Sequence, residues 1–146
     1  MQPWAPVVVR IGMGIVMLFF SYYQFSDASI WTGFVPHAVV ALLGGTAVLL
    51  VLLNAWFELV FGLALLAGFQ TRTVALLLAL HLFGIAGTIG ISPLGVRDLG
   101  LAAATLSIFL AGSDLISLDR RFAGKPPLDS ADGASSRQIP AGVRRI

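Results

Sequence analysis

The chain of 146 residues contains no cysteine. It can therefore form no disulfide, no thiolate nucleophile and no cysteine-ligated iron–sulfur cluster. Charged residues are also scarce, at 11% of the chain, whereas a soluble domain carries about a quarter. Hydrophobic residues make up 58%. Any redox role must use a bound cofactor, and the composition indicates an integral membrane protein.

Several apolar runs are long enough to cross a hydrocarbon core about 30 Å thick. We predict an all-α fold, a four-helix bundle within a transmembrane domain of residues 1–121. The predicted spans are 6–24, 48–69, 72–91 and 96–112. Thr71 is the predicted N-cap of the third span, and Pro93 and Gly95 are expected to break it before the fourth. Residues 122–146 lack hydrophobic periodicity and are predicted to form a disordered cytoplasmic tail.

The apolar stretch 38–69 is too long for one upright helix, because its rise would be about 48 Å. The Gly44-Gly45 pair and Asn54 are the expected points of a bend. Two alternatives stay open, namely a bent second span and an interfacial helix that leads into a shorter span.

The basic residues predict the orientation of the chain. Arg72, Arg120, Arg121 and Lys125 fall on one face of the predicted topology. Positive residues favour the cytoplasmic side of a membrane. We therefore expect both termini in the cytoplasm.

Four ionisable side chains lie within or at the edge of the predicted spans: Arg10, Glu58, Arg97 and Asp98. A charge at the centre of a spanning helix costs about 2.5 to 3.5 kcal/mol on insertion scales, so such residues normally face the bundle interior and pair. We expect Arg10 to pair with Glu58, and Arg97 to bridge Glu58 and Asp98. Arg10 shares a helix stripe that should face inward, which continues through Gly14, Met17, Ser21 and Gln24.

This set of residues has two readings. In the structural one, the ion pairs fix the register of the helices. In the functional one, Glu58 relays protons while Arg10, His81, Arg97 and Asp98 bind a quinone headgroup or another polar ligand. His81 has three readings of its own: a haem ligand, which would need a second histidine, a hydrogen-bond donor to a quinone, or a satisfied core residue. No motif for a metal cluster, a nucleotide or a catalytic triad appears.

Several short motifs occur in an order and spacing that resemble the DoxX family of small four-span membrane proteins. They are RIGMG (10–14), WTGFVP (31–36), EL (58–59), GLALL (62–66), GFQTR (68–72), RDLGL (97–101) and SLD (117–119). The resemblance implies a four-helix membrane bundle in a bacterial or archaeal cell (inner) membrane. It also implies a link to thiosulfate:quinone oxidoreduction, or to membrane complexes that respond to oxidative stress.

Three functional hypotheses follow from the residues and the resemblance. The first is a subunit of a quinone-linked redox complex, at most one part of an enzyme, with quinone as the candidate cofactor. The second is a non-catalytic anchor or assembly subunit of a larger membrane complex. The third is a small-solute carrier. The expected partners are the lipid bilayer and either other subunits or a second copy of the chain, with Gly84 and Gly87 as a candidate contact; nucleic acid is not among them.

Overall fold

The computed structural model describes residues 4–123, and every regular element in that part of the chain is helical. Four long helices are long and apolar enough to span a membrane: α1 (Ala5–Ser26), α3 (Ala47–Ala67), α4 (Thr71–Ile89) and α5 (Pro93–Ala111). Two short helices, α2 (His37–Leu43) and α6 (Leu118–Phe122), and a 3-10 segment (Ala28–Phe34) complete the fold. The predicted all-α membrane bundle is confirmed.

The long helices form two antiparallel pairs, α1 with α3 and α4 with α5. The pairs meet over a core that includes Met17, Leu65, Leu78 and Ile108. The start of α1, the α3–α4 turn and the chain after α5 lie together, and we call this the basic end. The opposite end holds the 3-10 segment, α2 and the α4–α5 turn, and we call it the loop end.

Two glycines let α1 and α3 approach closely. A Cβ atom built on Gly62 would come within 2.9 Å of Met17 Cβ, and one on Gly14 would lie 3.3 Å from the Gly62 carbonyl oxygen. Small residues at such a crossing let helix backbones come close in a membrane. This crossing lies one turn of α3 from Glu58, which is buried.

The apolar stretch before α3 is divided at the predicted glycine pair. α2 ends at Gly44, whose φ of 69° is unfavourable for residues with a Cβ. α3 then begins after Thr46, whose hydroxyl accepts a hydrogen bond from the Leu49 N–H. Asn54 lies inside a continuous α3 and makes no break. The apolar residues that precede α3 therefore form a separate short helix, α2.

At the basic end, α6 contacts the α3–α4 turn, and the sequence did not predict this contact. Thr71 is the first residue of α4 and not its N-cap, because Gln70 occupies the cap position with a φ of 45°. The Asp119 carboxylate accepts hydrogen bonds from the Gln70 and Thr71 N–H groups at 2.6 and 2.7 Å. The Asp119 carboxylate of α6 therefore caps the start of α4, which was the role expected of the Thr71 hydroxyl.

Asp119 is ionised in this position. Burial alone would raise the pKa of Asp119, but its hydrogen bonds with Thr71 and Gln70 and the positive charge of Arg10 together hold that pKa below the ordinary carboxyl value. A negative charge beside the first turn of α4 also complements the helix dipole. The contact between α6 and the α3–α4 turn is therefore strongest when Asp119 is charged.

The α4–α5 connection differs from the prediction at two residues, since Pro93 and Gly95 both belong to α5. Pro93 is the first residue of α5 and does not separate the two helices, because a proline lacks only the N–H group that the first turn leaves unpaired. Gly90 ends α4 instead. No other helix of the described chain approaches Gly84 or Gly87. Most of the predicted tail, residues 124–146, lies outside the described residues.

Candidate functional site

Glu58 lies near the middle of α3 and is held by two amide side chains. Gln24 Nε2 of α1 donates to Glu58 Oε2 at 2.6 Å, and Asn54 Nδ2 donates to Glu58 Oε1 at 3.1 Å. Asn54 also donates to Gln24 Oε1 at 2.8 Å. Each carboxyl oxygen therefore has one donor, and only 4% of the Glu58 surface is exposed. The three side chains form a closed polar group between α1 and α3.

His81 of α4 faces the same carboxyl group. Its Nε2 atom lies 3.9 Å from Glu58 Oε1, which is too long for a hydrogen bond. This nitrogen is buried and has no hydrogen-bond partner among the described residues. The described side chains therefore supply no partner for His81 Nε2.

Two phenylalanine rings of α3, Phe57 and Phe61, extend from His81, and we call them the aromatic wall. The Phe57 ring lies against the His81 imidazole with centroids 4.5 Å apart, and Phe61 lies against Phe57 at 4.3 Å. The His81 side chain is 24% exposed, whereas that of Glu58 is 5% exposed. A molecule that entered from the lipid would therefore meet the aromatic wall and the imidazole before the carboxyl group.

Arg97 and Asp98 form a second polar group in the loop-end half of the bundle. Arg97 Nε and the terminal nitrogen Nη2 each lie 2.8 Å from Asp98 Oδ1. The Arg97 guanidinium also lies over the Phe20 ring of α1, 4.9 Å from its centroid. Phe20 and Gln24 are one helical turn apart, so this group is next to the turn that holds Glu58. Arg97 pairs with Asp98, its neighbour in sequence, as predicted. It forms no ion pair with Glu58, so the predicted bridge between the two carboxylates is wrong.

Arg10 does not pair with Glu58, and this prediction is wrong. Its Nε donates to Asp114 Oδ2 at 2.6 Å and its Nη2 to Asp114 Oδ1 at 3.2 Å, while Nη1 donates to the carbonyls of Leu65 and Leu66. Arg10 is separated from Gln24 by about 21 Å of helix rise, which is too far for a side chain to reach. Asp114 follows the end of the fourth predicted span, yet its side chain is buried in the bundle.

The predicted site residues therefore fall into three groups. Glu58 and His81 face one another, Arg97 and Asp98 lie one turn of α1 away, and Arg10 lies at the basic end. Gln24 and Asn54 were not predicted as site residues, although Gln24 lies on the predicted inward stripe of its helix and Asn54 is four residues before Glu58. Their position at helical spacing from buried residues was the signal that could have identified them.

The arrangement limits the chemistry of the site. Among residues 4–123, no group of three or more histidine and acidic side chains could hold a metal ion. His37, the only other histidine, is at the start of α2 at the loop end, so it does not share a site with His81. The side chains at this point are a carboxyl group, an imidazole nitrogen and an apolar ring surface.

Comparison with known proteins identifies the family but supplies no named relative. No curated protein and no solved structure matches the chain. The model of the DoxX family matches residues 5–91, which is more than half of the chain and includes Glu58 and His81. Arg97, Asp98 and Asp114 lie after the matched part. This multi-pass membrane protein belongs to the DoxX family.

Proposed function

We propose that this protein is a membrane subunit of a quinone-linked redox complex, with its quinone headgroup site between Glu58 and His81. The observation that carries the proposal is the buried His81 Nε2, which lacks a partner and faces Glu58 Oε1 across 3.9 Å. A polar atom left unpaired in a membrane interior is costly, so it points to a ligand. A quinone carbonyl oxygen is an acceptor of the required kind.

Each residue of the proposed site has a different role in binding the headgroup. His81 Nε2 donates to an oxygen of the headgroup, and Phe57 supplies an apolar face beside it. Gln24 and Asn54 fix both oxygens of Glu58, so Oε1 keeps its position next to the bound oxygen. When bound, a quinone accepts electrons and protons. Glu58 Oε1 supplies or receives a proton at this point, as buried membrane carboxyl groups commonly do.

The electrons must come from a partner. The chain has no cysteine and no group of metal ligands among its described residues. The proposed partner is therefore an oxidoreductase subunit that carries its own redox group. The basic residues Arg72, Arg120 and Arg121 support an orientation with the basic end in the cytoplasm of a bacterial or archaeal cell.

A non-catalytic anchor or assembly subunit is the second candidate. It is favoured by the Arg10–Asp114 pair, which is buried, lies far from Glu58 and contacts the ends of α1, α3 and α5. A pair of this kind can fix helix register without any chemistry. The two candidates differ in whether the chain itself binds a quinone.

Mass spectrometry of proteins that co-purify with the chain tests membership of a redox complex. The full chain is purified in a mild detergent from native membranes, with an unrelated four-span protein carrying the same tag as the control. We expect recovery of a respiratory or oxidoreductase subunit in a fixed ratio to the chain, and its absence from the control. Recovery of the chain alone would contradict both subunit proposals.

A further inference from the structure

A cavity lies at the basic end, at the opposite end of the bundle from the 3-10 segment. It has a volume of about 380 Å³ and opens to the surface between the α3–α4 turn and the end of α5. Its walls are formed by Gln70, Arg72, Thr73, Ala111, Ser113 and Asp119. Since these residues stand at the ends of spanning helices, the cavity is at the depth of lipid headgroups.

Arg72 supplies the positive charge of this cavity. A Cβ atom on Gly112 would come within 2.7 Å of Arg72 Nε, so the guanidinium lies directly against the backbone that ends α5. Arg72 is exposed and forms no ion pair with any residue in the range 4–123. A guanidinium without an acidic partner matches a phosphate group, which it can bind through two parallel N–H groups.

Asp119 supplies a negative charge to the same cavity. Its oxygens accept the Gln70 and Thr71 N–H groups, and its lowered pKa keeps it ionised at neutral pH. The lining therefore carries one positive and one negative side chain. A ligand with a second negative charge would be repelled by Asp119, whereas one that pairs its phosphate with an ammonium group would match both walls.

We propose that this cavity binds the phosphate of a zwitterionic phospholipid headgroup of the phosphoethanolamine type. Arg72 binds the phosphate, Thr73 and Ser113 offer hydroxyl groups beside it, and the ammonium group lies toward Asp119. This site does not depend on the quinone proposal, because it shares no residue with the Glu58 site. It predicts a lipid preference opposite to that of a simple basic surface, which would favour anionic lipids.

Native mass spectrometry of the full chain in detergent micelles tests the proposal. The chain is titrated separately with phosphatidylethanolamine, with phosphatidylglycerol and with inorganic phosphate. We expect phosphatidylethanolamine to bind more tightly than phosphatidylglycerol. Arg72→Gln should weaken its binding about tenfold, as expected for loss of hydrogen bonds to a charged group. Arg120→Gln is the matched control, because Arg120 lies on the same end outside the cavity lining, and it should leave binding unchanged.

The remaining outcomes would overturn the proposal. Equal losses for Arg72→Gln and Arg120→Gln, or tighter binding of phosphatidylglycerol, would indicate general surface attraction. Binding of inorganic phosphate that Arg72→Gln abolishes, without binding of either lipid, would assign the cavity to free phosphate and not to a headgroup. Arg72→Lys provides a second variant that keeps the charge and loses the paired N–H groups. Its binding should fall between that of the unchanged chain and that of Arg72→Gln.

Discussion

Replacing Glu58 with glutamine is expected to lower quinone-dependent turnover of the complex by about 100-fold or more, the usual contribution of a positioned acid or base. Glutamine has nearly the shape of glutamate and can still accept a hydrogen bond from Gln24 or Asn54. It cannot supply or receive a proton at the position of Oε1. The bundle should therefore assemble while proton exchange with the bound headgroup is lost. Turnover is measured with the complex in its membrane and a short-chain quinone.

Asp27→Asn is the matched control for this prediction. Asp27 precedes the 3-10 segment, where its carboxylate accepts hydrogen bonds from Ser29 outside the helix core. Its replacement also removes one carboxylate, so an effect of total charge would appear in both variants. Unchanged turnover in Glu58→Gln would contradict the relay. A fall in yield and partner retention without a fall in turnover per complex would instead support the anchor function.

Replacing Arg10 with methionine is expected to destabilise the bundle by about 3–5 kcal/mol, the range for breaking a buried ion pair by removing one partner. The substitution would leave the Asp114 carboxylate buried without its cation, and would remove the donor to the Leu65 and Leu66 carbonyls at the end of α3. The free energy of unfolding is measured by reversible denaturation in micelles.

Two further variants separate the pair from a general effect of losing a charge. Arg120→Met removes an exposed arginine that forms no ion pair within residues 4–123, and should cost about 0.5 kcal/mol or less. The double variant Arg10→Met with Asp114→Leu should cost less than the sum of its single changes, because no buried charge remains unpaired. If Arg10→Met is no more destabilising than Arg120→Met, the Arg10–Asp114 pair does not stabilise the fold.

The buried face of α1 shows what the sequence could predict. Arg10, Gly14, Met17, Ser21 and Gln24 were expected to share the inward stripe, and all are buried. The prediction succeeds because exposing a polar side chain to lipid costs free energy. Such a residue therefore marks the side of the helix that packs against other helices. Helix existence follows in the same way, from apolar runs that are long enough to span and from glycines at their ends.

The face of α4 shows where this reasoning fails. Helical spacing puts His81, Gly84 and Thr88 on one polar and small stripe, which would predict an inward face, but Gly84 and Thr88 are exposed. α4 buries Val74, Ala75, Leu78, Ala79 and Leu82 instead. In a membrane protein both faces of a helix are apolar, so hydrophobicity does not separate the packed side from the lipid side. Glycine and threonine tolerate lipid, and they are therefore weak markers of the packed side.

The partners of the charged residues were predictable only in part. The sequence shows that Arg10 needs an acidic or carbonyl partner, and it offers several at plausible depths. The choice of Asp114 depends on how the chain turns after α5, where the Asp114 carboxylate also accepts the Ile116 N–H and Ser117 bonds back to the Asp114 carbonyl. Such a turn is fixed by contacts between distant segments, which periodicity does not reveal.

Covalent mapping of a photoreactive quinone bound to the full chain in its native complex would show whether the headgroup lies between Glu58 and His81. We expect labelling of the α3 and α4 peptides that contain Phe57, Glu58 and His81, and loss of that label with an excess of unmodified quinone. Labelling spread over lipid-facing positions such as Tyr22 and Leu110, unaffected by the excess quinone, would contradict a quinone site between Glu58 and His81.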